Sequence, residues 1–189
     1  MRVHPVFLFA LLATSSLAQN NMLGVQGRFM IAMMPESKKE LKLTKEQEKK
    51  MQEAVNELGN AANGGALPSG FDLMNPMASL DPKLEGILDD TQKKRLEEMF
   101  LWVNGGFSLL DARVAAVLEL TDEQKDAAKI LESERKKEML DQMRAGPSGY
   151  KAMKQKAEET GAKLLALLMP EQAKKYEAMK GKPFKFRKP

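Results

Sequence analysis

The chain has 189 residues, 30 Lys and Arg against 26 Asp and Glu, one His and no Cys. That length suits one domain or two small halves, and without Cys there are no disulfide staples, so packing alone must hold the fold. The formal charge of +4 is only mildly basic and favours acidic or amphipathic partners weakly.

The first residues read as a leader and not as part of the fold. Met1-Arg2 supplies a positive start, and Val6 to Ala13 is an apolar run too short to span a bilayer. Ser16-Leu17-Ala18 then places small residues at a cleavage site. The pattern predicts a secretory signal over residues 1–18, cut after Ala18, and hence a periplasmic or secreted protein. No Cys marks a lipoprotein, and no later stretch is apolar enough for a transmembrane helix. Nucleic acid is not an expected partner of an exported chain.

Residues 19–106 form a predicted first helical half. A dense Met segment, Phe29 to Met34, comes first, and Met30 could share a helical face with Met33 or Met34. A short helix is expected over 35–41. Leu43-Thr44-Lys45-Glu46-Gln47 then reads as a capping box: Thr44 is the N-cap and Gln47, at the third helical position, reaches back to the cap amide. The helix behind it, 45–58, puts Met51, Ala54, Val55 and Leu58 on one face. Gly59 to Gly70 is rich in Gly, Asn and Pro and predicts a loop. A short helix near 82–88 follows, then one over 90–103 with Asp89 as cap and Gln92 at the third position. Asn104-Gly105-Gly106 is a strong stop.

Residues 107–181 form the second half. Asp111 caps a short helix to about 119, and Leu120-Thr121-Asp122-Glu123-Gln124 repeats the capping box ahead of a long helix over 122–144. After a five-residue break, a helix over 150–168 carries Tyr150, Met153, Ala157, Gly161, Leu164 and Leu168 on one face. So short a connection implies an antiparallel hairpin. Gly161 should weaken its helix by roughly 1 kcal/mol relative to Ala. Ser133 to Glu138 reads as charged all round, giving a thin, partly solvated hairpin. The last helix, 170–180, has Pro170 in its first position and Gln172 in its third, but Met169 where a Thr cap would stand. Residues 182–189 form a basic tail. No segment alternates with period two, so the predicted fold is all-α.

The four Gln residues at these helix starts recur in pairs. Gln47 to Gln124 is 77 residues and Gln92 to Gln172 is 80. Residues 35–47 also line up with 112–124. The pattern predicts a tandem duplication of helical hairpins. Each half has a small core, so docking of the halves or dimerisation should add burial that neither has alone.

Little here carries catalytic chemistry. The only His, His4, belongs to the leader, which rules out a Ser-His-Asp arrangement behind it. Acidic pairs such as Glu97-Glu98 and Glu158-Glu159 lie in Lys-rich helical stretches and read as solvated faces. No phosphate-binding Gly-rich spacing occurs. The chain is therefore not expected to be an enzyme or to need a cofactor, and no catalytic or metal residue is assigned. The alternative use of the 14 Met residues is a Cu(I) site, since thioethers suit soft metals. The favoured use is plasticity, because Met-rich surfaces adapt to varied apolar partners. Met51, Met99, Met153 and Met179 are assigned to core, and Met30, Met33, Met34, Met74 and Met77 to a client-binding surface, with Phe184 and Phe186 of the tail. The two Phe could instead fold back onto the helices.

An export signal, an all-helical basic chain and two copies of Leu-Thr-x-x-Gln resemble the Spy and CpxP group of periplasmic LTxxQ-motif proteins. The matching segments are Leu43, Thr44 and Gln47, and Leu120, Thr121 and Gln124. Partial matches stand at Asp89 and Gln92 and at Gln172. The resemblance implies an ATP-independent chaperone, a thin helical cradle whose basic, amphipathic surface holds unfolded or partly folded proteins. It also implies an alternative, a stress- or metal-responsive regulatory partner of a membrane sensor. Family chaperones are shorter and dimeric; here either a homodimer or an intrachain pseudo-dimer would complete the cradle.

Overall fold

A computed structural model describes residues 25–64, 76–144 and 147–184. The predicted signal at 1–18, and with it His4, lies outside the described residues, as do Met74, Phe186 and the second half of the predicted 59–70 loop. The fold is all-α, with no strand among the described residues. Its elements are α1 (Arg28–Met33), α2 (Pro35–Glu40), α3 (Lys45–Asn63), a 3-10 segment η1 (Pro76–Gly86), α4 (Asp90–Asn104), a 3-10 segment η2 (Gly105–Leu110), α5 (Ala112–Val117), α6 (Asp122–Arg144), α7 (Pro147–Leu165) and α8 (Pro170–Met179). Among the described residues no helix is long and apolar enough to cross a membrane.

The described residues divide into two compact units, one within 26–101 with 180–184 and the other within 102–179. The sequence placed the division at 106/107, after the Gly-rich stop; packing places it inside α4. In the first unit α1 packs on η1, and Phe29, Ile31, Met51, Leu84, Met99 and Phe100 are buried. None of its own side chains caps α1. Asp81 of η1 does so instead, accepting from the amides of Arg28 and Phe29 at 3.0 and 2.8 Å. Arg28 itself is buried, held by both carboxylate oxygens of Glu97 at 2.6 and 2.7 Å and stacked 3.8 Å from the Phe100 ring. A guanidinium taken out of water needs such compensation, because leaving it unpaired would cost several kcal/mol, of order 3–5.

In the second unit α6 and α7 form the predicted hairpin, and η2 packs against both. Gly161 of α7 is where η2 comes close to the helix backbone. A Cβ at Gly106 would collide with the backbone of Gly161, while the Phe107 ring lies over Gly161 itself. The residue that must lack a side chain here is therefore Gly106; a Cβ at Gly161 would make only an ordinary contact with the Phe107 ring, at 3.5 Å.

Several sequence expectations change. The helix α3 runs five residues into the predicted loop, since Ala61 and Ala62 are good helix formers and an established helix propagates cheaply. The helix expected near 82–88 is the 3-10 segment η1, with Pro82 inside it. A Pro ring and missing amide disfavour the regular α ladder there. The Ser133–Glu138 run is not solvated all round: Arg135 is 2 % exposed, paired with Glu132 at 2.7 and 2.8 Å, near the Sδ of Met139 and the Phe107 ring. The helix α7 spans 147–165 and not 150–168, and its packed stripe runs through Met153, Ala157, Thr160 and Leu164, leaving Tyr150 exposed. Of the Met residues assigned to core, Met51, Met99 and Met153 are buried and Met179 is half-buried.

Candidate functional site: two glutamine clasps and the surface they support

Leu-Thr-x-x-Gln is two devices joined. The short helix α2 ends in a Schellman motif: Leu43 N–H donates to Lys38 O at 3.0 Å and Lys42 N–H to Lys39 O at 3.2 Å. The turn residue Lys42 has φ 51°. Seventy-seven residues later α5 ends identically, with Leu120 donating to Ala115 O, Glu119 to Ala116 O, and Glu119 at φ 54°. The motif Leu is therefore the residue just past a helix stop, and the motif Thr is the cap of the next helix. Leu120 is buried and Leu43 half-buried.

The capping boxes form as predicted. Thr44 Oγ1 accepts from Gln47 N–H at 3.2 Å and Gln47 Oε1 accepts from Thr44 N–H at 3.0 Å. Thr121 and Gln124 repeat this at 3.2 and 2.9 Å. Asp89 and Gln92 form a third box at 2.8 and 3.0 Å. At the fourth start only half survives: Gln172 Oε1 accepts from Met169 N–H at 2.9 Å, and the Met has no oxygen to return the bond. Beside Thr121, the Glu123 carboxyl is held below its ordinary value by its own backbone amide and then by the Thr121 hydroxyl.

What the sequence did not show is the other end of each Gln. In the first unit Gln47 Nε2 donates to Gln92 Oε1 at 2.7 Å, and Gln92 Nε2 donates back to Gln47 Oε1 at 3.1 Å. The remaining amide protons go to backbone carbonyls, Gln47 to Ile87 O at 2.9 Å and Gln92 to Leu41 O at 3.1 Å. In the second unit Gln124 and Gln172 exchange the same pair of bonds at 2.7 and 3.1 Å. Gln124 also donates to Leu167 O at 2.7 Å, and Gln172 to Leu118 and Glu119 O at 3.2 Å each. Each amide thus uses both donors and both acceptor sites.

Each clasp ties two helix starts to two chain turns, all at one end of its unit. Only a primary amide can do this. A carboxylate has no donors, and Met or Leu of similar length has neither donor nor acceptor. Gln92 and Gln172 are buried, where an unpaired amide would be costly. The site is structural chemistry: the motif residues hold helices in place.

The predicted client-binding residues separate under burial. Met30 is exposed, and Met33, Met34 and Met77 are half-buried, on α1, the α1–α2 junction and η1 of the first unit. Phe184 is buried, correcting its assignment to an exposed surface. The tail turns back at Gly181 (φ 54°), where a Cβ would meet the Glu98 carboxylate, and Arg95 donates to Lys182 O at 2.8 Å. Sequence reasoning missed the exposed Val117, Ile130 and Met169. Among the described residues no group of three or more His, Asp or Glu is placed to hold a metal ion.

No protein-family model, curated protein or solved structure matches this chain.

Proposed function

We propose that this chain is an ATP-independent holdase of the bacterial envelope, akin to the Spy and CpxP group, binding unfolded or partly folded proteins. The observation that carries the reading is the retention of large apolar side chains at the surface of both units. Met30 is exposed in the first; Ile130, Met143 and Tyr150 are each more than half exposed in the second. They stand beside charged neighbours such as Lys129 and Lys151. An unfolded chain offers apolar segments with flanking acids, and this surface suits weak, reversible capture of both. Met adapts its shape to varied partners, and Lys adds attraction without fixed geometry. The clasps supply the support, keeping the helices in place while their outer faces remain open.

The recurrence of stop, cap and clasp at offsets of 77 and 80 residues is best read as a tandem duplication, giving one chain two client-binding halves. The export expected from the leader supports an activity in the periplasm or outside the cell. The test is light scattering of a chemically denatured client diluted into buffer without ATP, with the chain from Gln19 onward added at near-stoichiometric ratio. Suppression beyond that of an inert helical protein is expected. Unchanged aggregation in the presence of folded, helical protein would refute the holdase reading.

A further inference from the structure

The second unit contains a cleft of about 320 Å³ whose floor is Leu109, Leu110 and the methyl groups of α5, with Lys125 and Lys129 on α6 at its rim. That volume lies at the small end of ligand sites, roughly 300–1,000 Å³, and an apolar lining with a few placed polar groups is their usual composition. The two lysines are one helical turn apart and so stand on the same face.

Comparison with the first unit gives the cleft its meaning. Seventy-seven residues earlier, Ala115 corresponds to Lys38 and Lys125 to Glu48. There the two long side chains reach across from α2 to α3 and form an ion pair at 3.1 Å. In the second unit the short helix offers only a methyl group at that place, and the long helix offers a cation. The acids beside these lysines are Asp122 and Asp126, each 3.0 Å away, three residues back on the same helix and largely exposed. Such surface pairs contribute little and yield readily to a better-placed anion.

We propose that this cleft binds a single-chain anionic amphiphile, with its acyl chain over Leu109, Leu110, Ala112, Ala115 and Ala116 and its carboxylate between Lys125 and Lys129. The ligand takes the place of Lys38: its chain fills the space of that side chain and its carboxylate pairs with Lys125, which stands where Glu48 does, so the signs of the ion pair are reversed. This inference stands apart from the holdase reading, since it needs no unfolded protein.

The test is calorimetric titration of the chain from Gln19 onward with dodecanoate, kept below its micelle concentration. Saturable one-to-one binding is expected, weakened roughly tenfold or more in Lys125→Gln/Lys129→Gln. It should be abolished in Ala115→Lys/Lys125→Glu, which rebuilds in the second unit the ion pair of the first. Lys125 and Lys129 are rim groups whereas Ala115 is buried in the cleft floor, so circular dichroism and Tm must establish that each variant is folded. Equal affinity for a cationic dodecyl-trimethylammonium would overturn the proposal. So would unchanged binding in the folded Ala115→Lys/Lys125→Glu variant, the absence of saturation, or binding of an acidic amphipathic peptide where dodecanoate does not bind.

Discussion

Replacing Gln172 by Leu should cost about 3–4 kcal/mol. The substitution keeps the bulk and removes both polar atoms. Lost are the reciprocal bonds with Gln124, the bonds to the Leu118 and Glu119 carbonyls, and the bond from Met169 N–H. A typical bond nets about 1 kcal/mol, the two bonds from one Nε2 proton to adjacent carbonyls count as roughly one, and stranded buried partners add to the loss. Gln124→Leu should cost a similar amount. Each single substitution already removes the two shared bonds, so the double variant should lose about 1–2 kcal/mol less than the sum. Urea denaturation followed by far-ultraviolet circular dichroism measures all four corners of the cycle. The pair Gln47→Leu and Gln172→Leu, from different clasps, should be additive within about 0.5 kcal/mol. A coupling between Gln124 and Gln172 below about 0.5 kcal/mol would refute the clasp as an energetic unit.

Lys42→Gly should stabilise the chain by about 0.5–1 kcal/mol in the same denaturation assay, because Lys42 occupies the left-handed region that costs a side chain roughly 1–2 kcal/mol, partly offset by the freer unfolded chain; destabilisation would contradict the Schellman assignment. Ser37 is fully buried with its Oγ unbonded, and its counterpart 77 residues later is Val114, so Ser37→Ala should raise stability by about 1 kcal/mol, and a loss would reveal a hidden partner. The Tyr176 hydroxyl donates to Gly105 O at 2.8 Å and accepts from Ser108 at 3.3 Å, and burial pushes its pKa well above the ordinary value near 10. The folded pKa exceeds the unfolded one, so this contribution is complete below about pH 10 and is lost as pH rises beyond it, at up to about 1.4 kcal/mol per pH unit. Lys93, raised by Asp90 and Glu85, and Lys156, raised by Glu138, act in the same direction. Tyr176→Phe should therefore show a shallower alkaline loss of stability than the parent, and an identical slope would remove Tyr176 from the account.

What the sequence revealed was local. A capping box closes within three residues, so Thr44 with Gln47 and Thr121 with Gln124 could be read directly. The reciprocal amide bonds join residues 45 and 48 apart, and no spacing rule states that two capping glutamines will turn their free ends toward each other. The Arg135 burial was hidden for a similar reason. Its neighbours in sequence are charged, and the groups that make its burial tolerable are Glu132 one turn back and Phe107 in another element. Phe184 looked exposed because it follows a Gly and a Pro near a basic end. Its burial depends on the turn at Gly181 and on Arg95 holding the Lys182 carbonyl. Tyr150 erred in the opposite sense: its spacing matched the packed face, but that face begins one turn later, at Met153. Period and capping thus placed the helices. The selection of which side chains face solvent was made by contacts between distant segments.

The most direct test of the holdase account is photo-crosslinking from single positions on the surface. A photoreactive side chain would be placed in turn at Met30, Ile130 and Tyr150, and at the exposed polar positions Glu53 and Lys174 as controls. Each variant would be irradiated with a denatured client in the absence of ATP. Adducts concentrated at the three apolar positions are the predicted result. Adducts equally abundant at Glu53 and Lys174, or absent from all five, would contradict it.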